Sequence, residues 1–313
     1  MPLDLSKLLV VAVSSRALFD LEEEARMYER LGLDLYREYQ IDNEKEILRP
    51  GTAFSLIKGL LKLNRSGTRH VEVIVVSHNN PETGLRVFNS IQHYGLDITR
   101  AAFVGNEPLV PYLKTFEVDL LLSPSVPDVQ AAIDADLAAA VVYRPPNEAN
   151  VDFDELRIAF DADAVLFSEE SEMIYQSRGL DAFLAHEKEN ADKMLAAGPL
   201  GSLLLKLGAL QKLLGTDTEV PFKIAIVTAR NSPAHERVIK TLRAWGVRAD
   251  AAFFLGGVSK TSVLQAYGAH IFFDDQEGHL APASLHTPCA LVPYKTTSAL
   301  RSIRKGEPAS GAA

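Results

Sequence analysis

Two aspartates one residue apart close an apolar run, Ile158-Ala159-Phe160-Asp161-Ala162-Asp163. A buried strand seldom ends on paired carboxylates unless a cation or a reacting group receives them, because uncompensated buried charge is costly. Three later segments supply that company in order: Val227-Thr228-Ala229-Arg230, Lys260, and Phe272-Phe273-Asp274-Asp275. The chemistry such a set can serve is phosphoryl transfer. A phosphate monoester is inert, and carboxylate attack on phosphorus divides its hydrolysis into two easier steps. Attack of one anion on another needs a cation, and Mg²⁺ takes oxygen ligands.

This ordered set resembles that of the haloacid dehalogenase (HAD) phosphohydrolases, and the expected roles are those the resemblance implies and the residue types can serve. Asp161 is the nucleophile. With the backbone carbonyl of Asp163 and one of Asp274 or Asp275, it holds Mg²⁺. Asp163 protonates the leaving alkoxide and then takes a proton from the attacking water. Thr228 gives its hydroxyl to a phosphate oxygen, helped by N–H groups at the next helix N-terminus. Lys260 pairs with phosphate and Asp161, and Arg230 helps to hold substrate. Singly, these residues have plainer explanations: a strand-end turn, a helix cap, a solvated lysine, an interdomain salt bridge for Arg230. Four motifs in this order favour the chemistry.

These residues need elements that deliver them to one place. Strands are expected at Arg157–Phe160, Phe222–Thr228, Ala251–Leu255 and His270–Asp274, with a short one from Cys289 to Pro293. Amphipathic segments such as His235–Trp245 lie between them. Apolar strands alternating with helices indicate an α/β fold with a doubly wound parallel sheet, whose ligands sit beyond the C-terminal strand ends. Asp161, Thr228 and Asp274 all fall at such ends. The stretch between Asp161 and Thr228 is too long for a simple crossover, so a helical cap is expected at about 169–218, including the leucines from Leu200 to Leu214.

The same pattern is written earlier in the chain. A shift of 147 lays Val11-Ala12-Val13-Ser14 on Ile158-Ala159-Phe160-Asp161, Tyr28 on Tyr175, Gly32 on Gly179 and Gly51 on Gly198. After a four-residue insertion, Val76-Ser77 meets Val227-Thr228, Arg86 meets Arg237, Gly95 meets Gly246, Gly105 meets Gly256, and Ser123 meets Asp274. A self-similarity of this length means two related units. The expected organisation is a degenerate α/β unit at 1–147, a catalytic unit at 148–303 and a disordered tail at 304–313, with a linker around Arg144-Pro145-Pro146-Asn147. The first copy has Ser14 for Asp161, Arg16 for Asp163, Ser123-Pro124 for Asp274-Asp275, and Leu109 near the place of Lys260, so it should be catalytically dead. Its strand end reads Ser77-His78-Asn79-Asn80, followed by Arg86, Asn89 and His93 on one helical face. That is either an ordinary polar face or a nucleotide-binding surface with Asn79 and Asn80 as ligand residues.

Bulk properties narrow the classes. With 313 residues and 47% hydrophobic content the chain has room for two cores. A net charge of -9 argues against a nucleic-acid or anionic-membrane partner. The single cysteine, Cys289, excludes an intramolecular disulfide. The run from Leu8 to Val13 reads as a strand and not as a signal peptide, and no segment approaches the roughly 20 apolar residues of a membrane span. A cytoplasmic location is expected.

The ordered motifs resemble those of the haloacid dehalogenase (HAD) phosphohydrolases, in which a second aspartate at the place of Asp163 goes with phosphatases. Phe160–Ser168, Val227–Arg230, Lys240–Gly246 and His270–Gln276 look more closely like the type I cytosolic 5'-nucleotidases. So do Ala12–Phe19, Arg49-Pro50-Gly51 and Asn89–Tyr94 outside the motifs. The resemblance implies Mg²⁺-dependent hydrolysis of nucleoside 5'-monophosphates through an aspartyl-phosphate, with ADP as an activator in some members and self-association open. Ala162 stands where better-known animal members have glycine, and the loop Asn231–His235 differs, which bears on base preference. The alternatives are a HAD phosphatase for another small phosphate ester, or a nucleotide-sensing regulatory protein.

Overall fold

Short β-rich runs of valine, isoleucine, leucine and alanine set the frame, because strands buried on both faces need near-continuous apolar sequence. The computed structural model describes residues 3–64, 67–78, 81–105, 107–146, 153–215 and 222–304. Asn79, Asn80, Asn147 and the tail from 305 onward lie outside the described residues. The main strands are β1 (Leu9–Ser14), β2 (Val71–Ser77), β3 (Arg100–Phe103), β4 (Leu120–Ser123) and β5 (Ala139–Val142), then β6 (Leu156–Phe160), β7 (Phe222–Thr228), β8 (Ala251–Phe254), β9 (Ile271–Asp274) and β10 (Cys289–Leu291).

All ten form one sheet in the order β8-β7-β6-β9-β10-β5-β4-β1-β2-β3. Every neighbouring pair is parallel except β5 and β10, which run antiparallel. Outward from that junction the order is β5-β4-β1-β2-β3 on one side and β10-β9-β6-β7-β8 on the other, so each half repeats the other's winding. The fold is α/β with a large, mostly parallel sheet flanked by helices. In each half the switch in winding lies between two adjacent parallel strands, β1 beside β4 and β6 beside β9, the place where such sheets bind their ligands.

The likeness of the halves extends to side chains. Arg86 and Arg237 are both buried, and their Nε atoms donate to the carbonyls of Glu46 (3.0 Å) and Lys193 (2.9 Å). Ser90 and Thr241 each accept a backbone N–H at 3.0 Å, from Leu48 and Leu195. Tyr28 meets Tyr36 edge-on, as Tyr175 meets Phe183. Gly32 and Gly179 break their helical segments at φ of 81° and 82°, a region open mainly to glycine.

Two expectations are corrected. The leucines of Gly201–Leu214 do not form a cap: Leu203, Leu204 and Leu207 are buried in the main core with Leu9, Ile158 and Phe160. A helix with so many apolar side chains gains more by covering the sheet than by overhanging a wet cleft. Helix Glu170–Glu189 packs against the Ala162–Leu166 turn that carries Asp163. Likewise, Arg86 and Asn89 are not a ligand surface. Arg86 pairs with Glu24 at 2.8 Å, and Asn89 donates to the Glu44 carbonyl at 2.7 Å. Both hold the first unit's helices together.

One glycine buttresses the segment that carries the aspartates. A Cβ on Gly198 would overlap the Phe167 carbonyl, and Gly198 N–H donates to Leu166 O at 2.9 Å. Gly198→Ala is therefore expected to cost about 1–3 kcal/mol, read as a lowered urea midpoint, and to reduce turnover by displacing the Asp161 loop.

Candidate active site

Asp161 leaves the end of β6 with its N–H donating to Phe273 O at 2.8 Å, so the loop starts pinned to β9. The chain then makes one tight turn over Ala162–Leu166, with Ala164 at φ 57°. A left-handed alanine costs about 1–2 kcal/mol, and just before it the Asp163 side chain reaches Arg230, two residues past the end of β7. Asp161 is 4% exposed, Lys260 3%, Thr228 2% and Asp274 0%. Four polar residues from four segments thus meet in a dry place.

Lys260 opens helix Lys260–Tyr267 behind the Ser259 cap. Its Nζ lies 3.0 Å from Asp161 and 2.7 Å from Asp274. The Lys260 contact is the one partner that Asp161 Oδ1 has among the described residues. Asp274 is better satisfied: Oδ1 accepts the Gln276 N–H at 2.8 Å, and Oδ2 faces His279 Nδ1 at 3.1 Å. Asp275 accepts the Tyr294 hydroxyl.

The titration of these groups follows from burial and neighbours. Burial pushes the Asp161 carboxyl up to about 7; Lys260 opposes the shift, and Asp274 and Asp163 add to it. Burial would raise Asp274 as well, but Lys260 and His279 outweigh it and hold the carboxyl below its ordinary value. Lys260 stays charged, since Asp161 and Asp274 overcome the burial that would lower it.

Asp161, Asp274 and Asp275 each offer an oxygen, all within 4.8 Å of one another and all buried. Three hard carboxylates against a single lysine leave excess negative charge, with Asp161 Oδ1 in contact with Lys260 alone. A divalent cation that prefers oxygen fits this donor set. The Asp163 side chain is not among these donors.

Asp163 is clamped by Arg230, whose Nε and Nη2 each donate to one of its oxygens at 2.6 Å. Arg230 Nη1 donates to buried Glu187 and, at 3.1 Å, to Ala234 O. Glu187 comes from helix Glu170–Glu189 and also receives Arg237 (3.0 Å) and Ser171 (2.8 Å). This corrects the expected substrate role of Arg230: all three of its guanidinium nitrogens are already committed, and it is 4% exposed. Thr228 ends β7 in the same place, and its hydroxyl accepts the Arg230 N–H at 3.2 Å.

Sequence reasoning missed Glu187, His279 and Tyr294. Glu187 sits in a polar helix with nothing to distinguish it from its acidic neighbours. His279 had one available signal, its place one turn into the helix after Asp274-Asp275.

The architecture and site now meet the comparisons with known proteins. A family model described as 5'-nucleotidase matches residues 1–299. The chain belongs to the 5'-nucleotidase family. A human relative, cytosolic 5'-nucleotidase 1B, is 37% identical over 287 residues, covering 88% of this chain and 47% of that protein. The chain thus spans about half the length of the curated relative it matches. No solved structure matches it significantly. Family membership covers both halves of the sheet, including the half without the aspartate triad. Among the described residues, no helix is long and apolar enough to cross a membrane.

The raised Asp161 carboxyl gives a pH prediction for metal-free protein. Its folded value, about 7, lies above its ordinary 3.8, so its contribution to stability is full below 3.8 and is lost as pH rises through 7. The melting temperature of Asp161→Asn minus that of the parent should therefore rise between pH 5 and 8. A divalent cation at 100 times its Kd should return about 2.7 kcal/mol to the parent. A flat difference would refute the assignment.

Proposed function

We propose that the chain is a Mg²⁺-dependent 5'-nucleotidase that hydrolyses nucleoside 5'-monophosphates of the AMP type to nucleoside and phosphate, in the cytosol. The observation that carries the reading is the convergence of Asp161, Thr228, Lys260, Asp274 and Asp275 beyond three parallel strand ends, in a chain of this family. Asp161 attacks phosphorus, and the bond from phosphorus to the 5' oxygen breaks. Asp163 gives its proton to that oxygen, releasing the nucleoside and leaving an aspartyl-phosphate. Asp163 then takes a proton from water, whose oxygen attacks phosphorus and frees Asp161.

Asp161, Asp274 and Asp275, with the backbone of Asp163, would hold Mg²⁺, which when bound neutralises charge on the phosphoryl group and the carboxylates. Lys260 keeps Asp161 and Asp274 from repelling each other, and Thr228 donates to a phosphate oxygen. Arg230 acts through Asp163: it holds the carboxylate in place with two bonds, and Asp163 gives up one of them to carry the proton it delivers. Burial of the whole set strengthens the charge interactions within it.

The decisive experiment is phosphate release from a panel of nucleoside monophosphates and sugar phosphates with Mg²⁺, with and without ADP, which is proposed as an effector. AMP-like nucleotides should be turned over at least tenfold faster than sugar phosphates. Equal turnover would replace this reading with that of a general small-phosphate phosphatase. A homo-oligomer is a further proposal, checked by sedimentation.

A further inference from the structure

The first unit holds a cavity of about 580 Å³ at the place where the second holds its aspartates, a size in the range of small-molecule sites. Its floor is made by Ser14 at the end of β1, Ser77 at the end of β2 and Ser123 at the end of β4. These occupy the sequence positions of Asp161, Thr228 and Asp274. The substitutions invert the hydrogen-bonding sense of the floor. Carboxylates only accept, and need a cation before a phosphate can approach; hydroxyls can donate.

The donors have a direction. Ser14 Oγ accepts the Ala17 N–H at 3.1 Å, Ser123 Oγ accepts the Ser125 N–H at 3.1 Å, and Ser125 Oγ accepts the Asp128 N–H at 3.4 Å. Each hydroxyl therefore has its own proton left to give, and none meets an acceptor among the described residues. Arg16 adds a half-exposed guanidinium at the wall, shared with Glu22 at 3.3 Å. The acidic members are Asp128, which is matched by His78 at 3.0 Å, and Glu29, which is exposed. No anionic triad remains to repel a phosphate. Above the floor the Tyr28–Tyr36 pair and Leu21 give an aromatic and apolar wall suited to a base.

We infer that this cavity binds a nucleoside phosphate without a metal ion and without hydrolysing it. The nucleoside part of the inference rests on the nucleotidase reading, through the likeness of the two units; the phosphate part rests on the hydroxyl donors alone. No nucleophile corresponds to Asp161, so a bound ester stays intact.

Calorimetric titration of AMP into the full-length Asp161→Asn chain in excess EDTA tests it. One equivalent should bind, inorganic phosphate should compete, and adenosine should bind at least tenfold more weakly. Ser123→Asp and, separately, Ser14→Asp should each weaken AMP at least tenfold, by restoring the repulsion that only a cation relieves. The second unit already carries Asp at both positions, so the backbone geometry tolerates it, and an unchanged melting curve shows that each variant is folded. No binding in EDTA, or binding untouched by both variants, overturns the proposal. Adenosine binding as tightly as AMP overturns the phosphate assignment. Phosphate binding that both variants weaken, in a chain that turns over no nucleotide with Mg²⁺, would sustain the anion site while the nucleotidase reading fails.

Discussion

Replacing Asp161 by Asn should lower Mg²⁺-dependent turnover at least about 10⁴-fold, the scale seen when a covalent nucleophile is removed. The amide keeps the shape of the carboxyl and its place between β6 and β9, so far-ultraviolet circular dichroism should be unchanged. It cannot form an aspartyl-phosphate. Because Asp161 is buried beside Asp274 with Lys260 as the one partner of its Oδ1, the neutral variant should also be the more stable metal-free protein above pH 7. Loss of activity with gain of stability separates a strained reacting group from a structural one. Beryllium fluoride with Mg²⁺ should inhibit the parent and leave the variant's binding signal flat. An active Asp161→Asn enzyme would end the covalent mechanism.

Arg230→Lys should reduce kcat by about 10 to 10²-fold, a part of the roughly 10²–10⁴-fold attributed to proton-transfer catalysis because Asp163 itself remains, while KM changes less than about threefold. Lysine keeps the charge but cannot make the two parallel bonds to Asp163 and still reach Glu187. Asp163 would then lose its fixed direction while the phosphate contacts, which come from other residues, persist. A residue that held substrate would show the opposite split, with KM rising most. Esters with a good leaving group, such as p-nitrophenyl phosphate, should be nearly indifferent to the variant, because their leaving group needs no proton. A large rise in KM for AMP would return Arg230 to the substrate-binding role expected from its sequence position.

The two halves separate what must persist from what can be lost. Arg86 and Arg237, Ser90 and Thr241, and the paired aromatics keep the same contacts in both, since they fix helix to sheet. By sequence position the clamp falls on Arg16, Asn79 and Gln40 in the first half, in place of Asp163, Arg230 and Glu187. Its disappearance together with the carboxylates and Lys260 groups it with the chemistry and not with the scaffold.

The sequence alone determined the strands, their parallel pairing and the identity of the acidic residues at their ends. Period, apolar runs and strand-end position are local properties, and a carboxylate after a buried run signals a counter-ion wherever the chain goes. The repeat was legible for the same reason, as its glycines and apolar positions recur at a fixed shift. Only the tertiary structure decided the antiparallel junction of β5 with β10, because either edge of each half-sheet has unpaired backbone and sequence does not choose between them. It alone moved the Leu200–Leu214 helix from cap to core. It alone turned Arg230 from substrate toward Asp163, since that depends on where Glu187, 43 residues away in sequence, comes to rest. The direction in which a buried charge points is set by its partners, and partners distant in sequence are chosen only by the fold.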